Sequence, residues 1–404
     1  MNKIEVLTPA GNLEKLKIAY LYGADAVYIG GKGFSLRTRA GNFSLPEIEE
    51  ARGISQVLNK KLYVALNVFL HNSEVKEAIA YLEALNKIKV DALIIADPGV
   101  VYLAKEYAPD IPIHLSTQAN TQNWPACAYW QKQGVERIVL GREVGLKEIN
   151  DIHQQVDVPL EAFVHGAMCM AYSGRCMLSM HMTGKSANSG ACTHPCRWEY
   201  YVIEKQRLED AMPIEEDEFG TYIFNSKDLC MLPYLPDLIK NGVMSLKIEG
   251  RMKSIHYVAT VTKIYREAVD LIEAGADFSE AMPALMDELN GIGERDYTTG
   301  FYLGTPDATI QQYYPRKTTD NIRFIGQVLG HSDSGLLKIE QRNKFVLGDT
   351  IEVLMPTVEN KTLVVETLIN EAGEAVNEAP RPKEILYING LDSIVPGALL
   401  RLRS

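Results

Sequence analysis

Four of the six cysteines of this 404-residue chain fall between His165 and Trp198, in the stretch HGAMCMAYSGRCMLSMHMTGKSANSGACTHPCRW. Cys169, Cys176, Cys192 and Cys196 lie there, and Cys230 follows in NSKDLCML. Thiols gathered in this way could hold a metal ion or an iron–sulfur cluster, pair as disulfides, or carry redox chemistry. The spacing is Cys-x6-Cys-x15-Cys-x3-Cys. Structural zinc sites are usually built from knuckles with about two to four residues between the cysteines, and only Cys192 and Cys196 are so spaced. A radical-type Cys-x3-Cys-x2-Cys loop would need a cysteine at position 199, where Glu199 stands. An iron–sulfur core tolerates loosely spaced thiolates, because the inorganic core sets the geometry and the loops adapt. Gly166, Gly174, Gly184 and Gly190 supply that freedom, and the many methionines supply a soft, apolar surround. On spacing alone a cluster, a zinc site and free or redox-active thiols all stay open. Cys127, in the helix-like WPACAYWQ, reads as a buried core thiol.

Composition narrows the setting. Hydrophobic residues at 46% and charged residues at 23% are those of an ordinary globular protein. The N-terminus, MNKIEVLTPAGNLEKL, has no apolar signal-peptide core, and no apolar run approaches the roughly 18 residues of a membrane span. A cytoplasmic protein with no membrane partner is expected, in a compartment where disulfides rarely persist. The net charge of −11 argues against a generic polyanion binder, since nonspecific nucleic-acid affinity comes from Lys and Arg at phosphates. A local basic patch on an acidic body remains compatible with it.

The elements that would position the cysteines alternate. Short apolar runs at Val6–Ala10, Ala26–Gly30, Lys61–Asn67, Ala92–Asp97, Ile113–Gln118, Arg137–Gly141, Leu160–His165, Tyr222–Asn225 and Val243–Glu249 are separated by amphipathic stretches such as Asn12–Leu21, Leu45–Leu58, Glu74–Asn86, Pro98–Tyr107 and Val144–Gln155. Strands alternating with helices predict a parallel sheet, and about eight such units in roughly 250 residues predict an α/β fold of the (β/α)8, TIM-like barrel type. One candidate strand is in excess, and is either spurious or outside the ring. In the strands, Leu246 and Ile248 alternate with Lys247 and Glu249, and Ala162 and Val164 with Glu161, Phe163 and His165. Ile113 and Leu115 likewise alternate with His114, Ser116 and Gln118. The apolar sets should face the surrounding helices and the other sets the barrel interior. Asn67, Asp97, Gln118, His165, Asn225 and Glu249 then gather at the C-terminal strand ends, where barrel enzymes keep their chemistry.

The barrel is expected to span residues 1–318, with the cysteine-rich segment inserted over its mouth at about 166–221. Beyond residue 319 the pattern changes to closely spaced strands, among them IRFIGQVLG, FVLGDTIEVLM and ALLRLR, which predict a small C-terminal all-β barrel domain. Its pattern resembles RNA-binding and translation-factor barrels, yet residues 320–404 hold nine Lys/Arg against twelve Asp/Glu.

The strings EAFVHGAMCMAYSGRCMLS, NSGACTHPCRW, NSKDLCML and SLKIEGRMKSIHYV closely resemble the collagenase-like peptidase family of unassigned mechanism, and the resemblance covers essentially the whole chain. It implies a barrel fold and oxygen-independent hydroxylation, most pointedly of the tRNA wobble uridine to 5-hydroxyuridine with prephenate as co-substrate. It also implies a 4Fe–4S cluster: the ligand pattern of the family's quinone-hydroxylating branch falls on Cys169, Cys176, Cys192 and Cys230, with Cys196 as an alternative ligand. The implied partners are tRNA, prephenate and a paralogous partner chain. Arg37, Arg39, Arg175, Arg197, Arg251 and Lys253 lie in expected mouth loops, where guanidinium forks suit carboxylates or phosphates. His165, Glu249 and Lys247 are the candidate catalytic groups, as proton handlers near strand ends. Each arginine could instead be a solvated surface charge, His165 a core histidine, and Glu249 half of a structural ion pair with Lys247 or Arg251.

Two other functions compete. An endopeptidase could use a Cys–His pair such as Cys169 with His165 or His181, although the chain has no HExxH or GxSxG motif. A zinc-binding RNA-interaction or assembly factor is the non-enzymatic rival.

Overall fold

The computed structural model describes residues 3–34, 42–168, 178–183, 193, 215–217, 220–222, 227–304 and 322–403. The barrel portion runs β1 (Glu5–Pro9), α1 (Leu13–Leu21), β2 (Ala26–Gly30), α2 (Leu45–Val57), β3 (Lys61–Leu66), α3 (Val75–Ile88), β4 (Ala92–Ile95), α4 (Pro98–Tyr107), β5 (Ile113–Leu115), α5 (Trp124–Lys132), β6 (Arg137–Val139), α6 (Leu146–His153) and β7 (Leu160–Gly166). Then come α7 (Leu178–Thr183), β8 (Glu215–Asp217), β9 (Gly220–Tyr222), β10 (Asp228–Cys230), α8 (Leu235–Lys240), β11 (Val243–Ile248), α9 (Ile255–Glu273), α10 (Phe278–Ile292) and β12 (Tyr297–Thr298).

Strands β1 to β7 pair in parallel in chain order, and β11 pairs with both β7 and β1, closing a ring of eight parallel strands. The predicted barrel is therefore present. The strand in excess is the Tyr222–Asn225 candidate: Tyr222 ends β9, which forms a hairpin with β8, and residues 223–225 lie outside the described set. Helix starts follow local chemistry. Ser44 and Glu47 form a capping box on α2, Asp97 caps α4 ahead of Pro98, and the Ser254 hydroxyl accepts from the Tyr257 backbone at the start of α9. No described helix is long and apolar enough to cross a membrane.

Alternation sorts the strand residues as period two requires. Leu7, Ala26, Tyr28, Tyr63, Ala65, Ala92 and Ile94 form an inner cluster. Their neighbours Val6, Val27, Ile29, Leu62, Val64, Leu93 and Ile95 pack in the core shared with the helices.

The C-terminal portion comprises β13 (Ile322–His331), β14 (Leu337–Gln341), β15 (Phe345–Val346), β16 (Thr350–Leu354), β17 (Lys361–Val364), β18 (Leu368–Asn370), β19 (Glu378–Ala379), β20 (Ile385–Ile388) and β21 (Leu399–Arg403). Seven of these make an antiparallel sheet in the order β17-β16-β21-β13-β14-β20-β18, with a β15–β19 ribbon beside it, around their own core. The domain is docked, not tethered. The Tyr22 hydroxyl of the barrel donates to the Leu354 carbonyl at 2.8 Å, and the Lys263 ammonium to the Met355 and Val358 carbonyls at 2.8 and 2.9 Å. Arg401, fully buried, pairs with Glu352 of its own domain and with Glu288 of α10.

Candidate functional site

The alternation that sorts β7 stops short of its end. Ala162 pairs with Leu246 and Phe163 with Lys247, but the next registered pair is His165 with Ile248, so β7 carries one extra residue at Val164. Side chains opposite one another share a face, and a bulge re-aims those beyond it. His165 therefore shares the face of Ile248 instead of the interior face expected from its parity with Glu161 and Phe163. Its ring neighbours agree: Tyr257 and Tyr265 of α9 at 5.9 and 5.6 Å, and Tyr297 of β12 at 5.3 Å. Gly166 permits the close approach that follows. It has φ +106°, and a Cβ there would lie 2.7 Å from the Glu249 carbonyl oxygen.

Four tyrosines finish the tops of β7 and β11. Tyr302 donates to the Phe163 carbonyl at 2.7 Å, Tyr265 to that of Val164 at 2.8 Å, Tyr257 to that of Glu249 at 2.9 Å and Tyr28 to that of Ile248 at 3.0 Å. Buried carbonyls at an irregular strand end need such donors. Sequence reasoning passed over these tyrosines; the signal was twenty Tyr against ten Phe.

Cys230 reaches the same place from a distant part of the chain. Strand β10 runs antiparallel to β7, with Cys230 opposite His165 and Leu229 opposite Gly166. The thiol is buried, with Sγ 3.9 Å from the Tyr265 hydroxyl and 3.9 Å from Met286 Sδ. Burial pushes this thiol up to about 11, while burial and the charge of Lys253 pull His165 down to about 3. Both groups are thus neutral near pH 7, the opposite of the thiolate–imidazolium pair that a cysteine protease uses.

A metal bound through Cys230 would have to hold it as the thiolate, the form that burial alone disfavours. Sulfur from Met286 gives the soft surround such a centre favours. In these respects Cys230 fits a cluster ligand. Cys169, Cys176, Cys192 and Cys196 lie outside the described residues, as do Arg37, Arg39, Arg175 and Arg197. Among the described residues no group of three or more His, Cys, Asp or Glu could hold a metal. Cys127 is buried in α5, as expected of a core thiol.

Lys247 and Glu249 do not pair with each other. Lys247 points into the ring, its Nζ 2.6 Å from Glu161 and over the rings of Tyr28 and Phe163 at 4.6 and 5.5 Å. Around it, Arg137 bridges Glu5 and Glu161, the Ser245 hydroxyl lies 2.8 Å from Glu5 and 3.2 Å from Glu161, and Tyr63 donates to Glu5 at 2.7 Å. Burial would raise the Glu161 carboxyl, but Lys247 and Arg137 overcome it and hold it below the usual carboxylate range. Burial lowers the Lys247 ammonium against the opposing pull of Glu161. The network balances two carboxylates with two cations at the heart of the barrel. Glu249 and Arg251 are buried at the mouth, whereas Lys253 pairs with the exposed Glu294. Sequence reasoning missed Arg142, a buried guanidinium 3.9 Å over the Phe163 ring. Its position just after the sixth strand was the available clue.

A ring of eight parallel strands with a buried thiol at its rim and an antiparallel sheet domain docked on its helices defines a two-domain barrel protein. The model of peptidase family U32 matches residues 11–312 and that of the family's C-terminal domain matches 320–401. The chain belongs to this family. It is 40% identical to tRNA hydroxylation protein P1 of Bacillus subtilis over 99% of this chain and 94% of that protein. It is 38% identical to tRNA hydroxylation protein P of Escherichia coli, over 94% and 92% of the two chains. With the Helicobacter pylori protein of that name (strain 26695) it shares 44% identity over 96% and 91%.

Proposed function

We propose that this protein hydroxylates tRNA without molecular oxygen, converting the wobble uridine to 5-hydroxyuridine with prephenate as co-substrate, in the cytoplasm. The observation that carries the reading is the near full-length similarity to relatives named for tRNA hydroxylation. A 4Fe–4S cluster held by Cys169, Cys176, Cys192 and Cys230, with Cys196 as the alternative to Cys192, supplies one-electron chemistry when bound. The remaining work falls to the chain's own groups. Arg142 and Arg251 at the mouth, with Arg37, Arg39, Arg175 and Arg197 from the neighbouring loops, grip carboxylates or phosphates through planar forks. The Arg142 guanidinium carbon lies 3.9 Å over the Phe163 ring, a cation–π contact that holds the side chain at the mouth. Glu249 moves protons at the mouth and Lys247 from inside the ring beside Glu161, while His165, neutral near pH 7, keeps a proton on one ring nitrogen. A paralogous partner chain is a further component of this reading.

Nucleoside analysis of bulk tRNA tests it. Cells lacking the gene, and any redundant paralogue, should lose 5-hydroxyuridine and regain it with the wild-type chain but not with Cys176→Ala. Unchanged 5-hydroxyuridine in the deletion removes the proposal. The family's peptidase designation favours an endopeptidase as second reading. Gelatin cleavage by purified, iron-free protein would establish that reading instead.

A further inference from the structure

Tyr265 is the one described side chain that reaches both Cys230 and His165. Its hydroxyl lies 2.8 Å from the Val164 carbonyl, 3.4 Å from His165 Nδ1 and 3.9 Å from Cys230 Sγ. Its proton goes to the Val164 carbonyl, the nearest acceptor within reach. A metal-bound thiolate changes that competition, because an anionic acceptor draws a stronger hydrogen bond than a neutral one. Turning the O–H toward sulfur leaves nothing orphaned: the Val164 carbonyl keeps the Met231 N–H at 2.8 Å. His165 can donate from Nδ1 to the tyrosine oxygen, and such a chain of hydrogen bonds polarises the hydroxyl further. The bulge at Val164 is what brings the imidazole to this face.

We infer that Tyr265, backed by His165, sets the reduction potential of the centre bound through Cys230 by turning its hydroxyl proton onto the sulfur. A hydrogen bond to a ligand sulfur stabilises the more negative, reduced state and so raises the potential. Tyr265 and His165 are thus positioning residues that act through Cys230, and the inference rests on the cluster reading above.

The test uses the full-length protein purified without oxygen, with iron and sulfide quantified before potentiometric titration. Tyr265→Phe should retain iron and sulfide while its midpoint potential moves negative. His165→Gln, which keeps an N–H donor, should move it in the same direction by less. In the reduced wild type, ENDOR spectroscopy after exchange into D2O should reveal an exchangeable proton coupled to the centre, absent from Tyr265→Phe. An unchanged potential at full loading overturns the inference. So does a wild-type spectrum with no exchangeable proton at the centre, a result that needs no variant. Protein devoid of iron and sulfide removes the cluster reading itself, so the two failures are told apart.

Discussion

Val164 falls between registered pairs at the β7–β11 junction, and the side chains beyond it change face as a result. Gly166 lets the two strand ends meet. Replacing it by alanine combines a positive φ with a clash against the Glu249 carbonyl, and should cost about 1–3 kcal/mol in urea denaturation. In the barrel interior Glu161 answers two buried cations, so Glu161→Gln should cost about 3–5 kcal/mol. The double variant Glu161→Gln with Lys247→Met should be less destabilised than the sum of the single variants, because both partners of a buried pair are then gone. Additive effects in that cycle would show that Lys247 and Glu161 do not act as a pair. The sequence put Lys247 and Glu161 on interior faces correctly. It left Glu249 open to a pair with Lys247 or Arg251 and did not show that Lys247 meets Glu161, because pairing depends on which strands become neighbours.

At the scale of elements, α9 does two jobs. Tyr257 and Tyr265, two turns apart, complete the strand ends of β7 and β11, while His256 and Lys263 face the C-terminal domain. His256 stacks on Phe324 at 5.4 Å, and burial with the nearby Arg401 charge pulls it down to about 3. Its unfolded value is near 6.5, so the unfolded chain takes up a proton before the native one does. The stability contributed by neutral His256 is full above about pH 6.5 and is lost toward about pH 3, at a slope of about 1.4 kcal/mol per pH unit. His256→Gln should flatten this part of the stability–pH curve measured by denaturation between pH 6.5 and 4; an unaltered slope would place the proton uptake elsewhere. The helical periodicity shows which residues of α9 are buried. It cannot show that one buried face meets a strand end and another a separate domain, since both faces are apolar enough to be core.

At the scale of the molecule the barrel's core extends into the C-terminal domain, which also keeps a core of its own. Leu354 and Leu399 of the C-terminal domain belong to the hydrophobic cluster of the barrel, and Arg401 ties β21 to α10. Unfolding followed by fluorescence and circular dichroism should give one coincident transition. Arg401→Ala, which leaves Glu288 and Glu352 only the more exposed Arg403, should lower its free energy by about 2 kcal/mol. Two separate transitions in the wild type would show that the contact between the two cores does not couple their unfolding. Docked in this way, the C-terminal domain braces α9 and α10, which carry Tyr265 and Met286 to Cys230.

The sequence by itself determined the alternation of strands and helices, the change of pattern near residue 319 and the concentration of thiols after His165. These follow from period-two and 3.6-residue patterns and from spacing, which are properties of a few adjacent residues. The tertiary structure decided which face His165 takes, that Cys230 lies opposite it sixty-five positions away in the chain, and that Arg142 lies against Phe163. Those outcomes depend on register, on one extra residue in a strand and on partners brought from elsewhere, and hydrogen bonds between distant segments settle them.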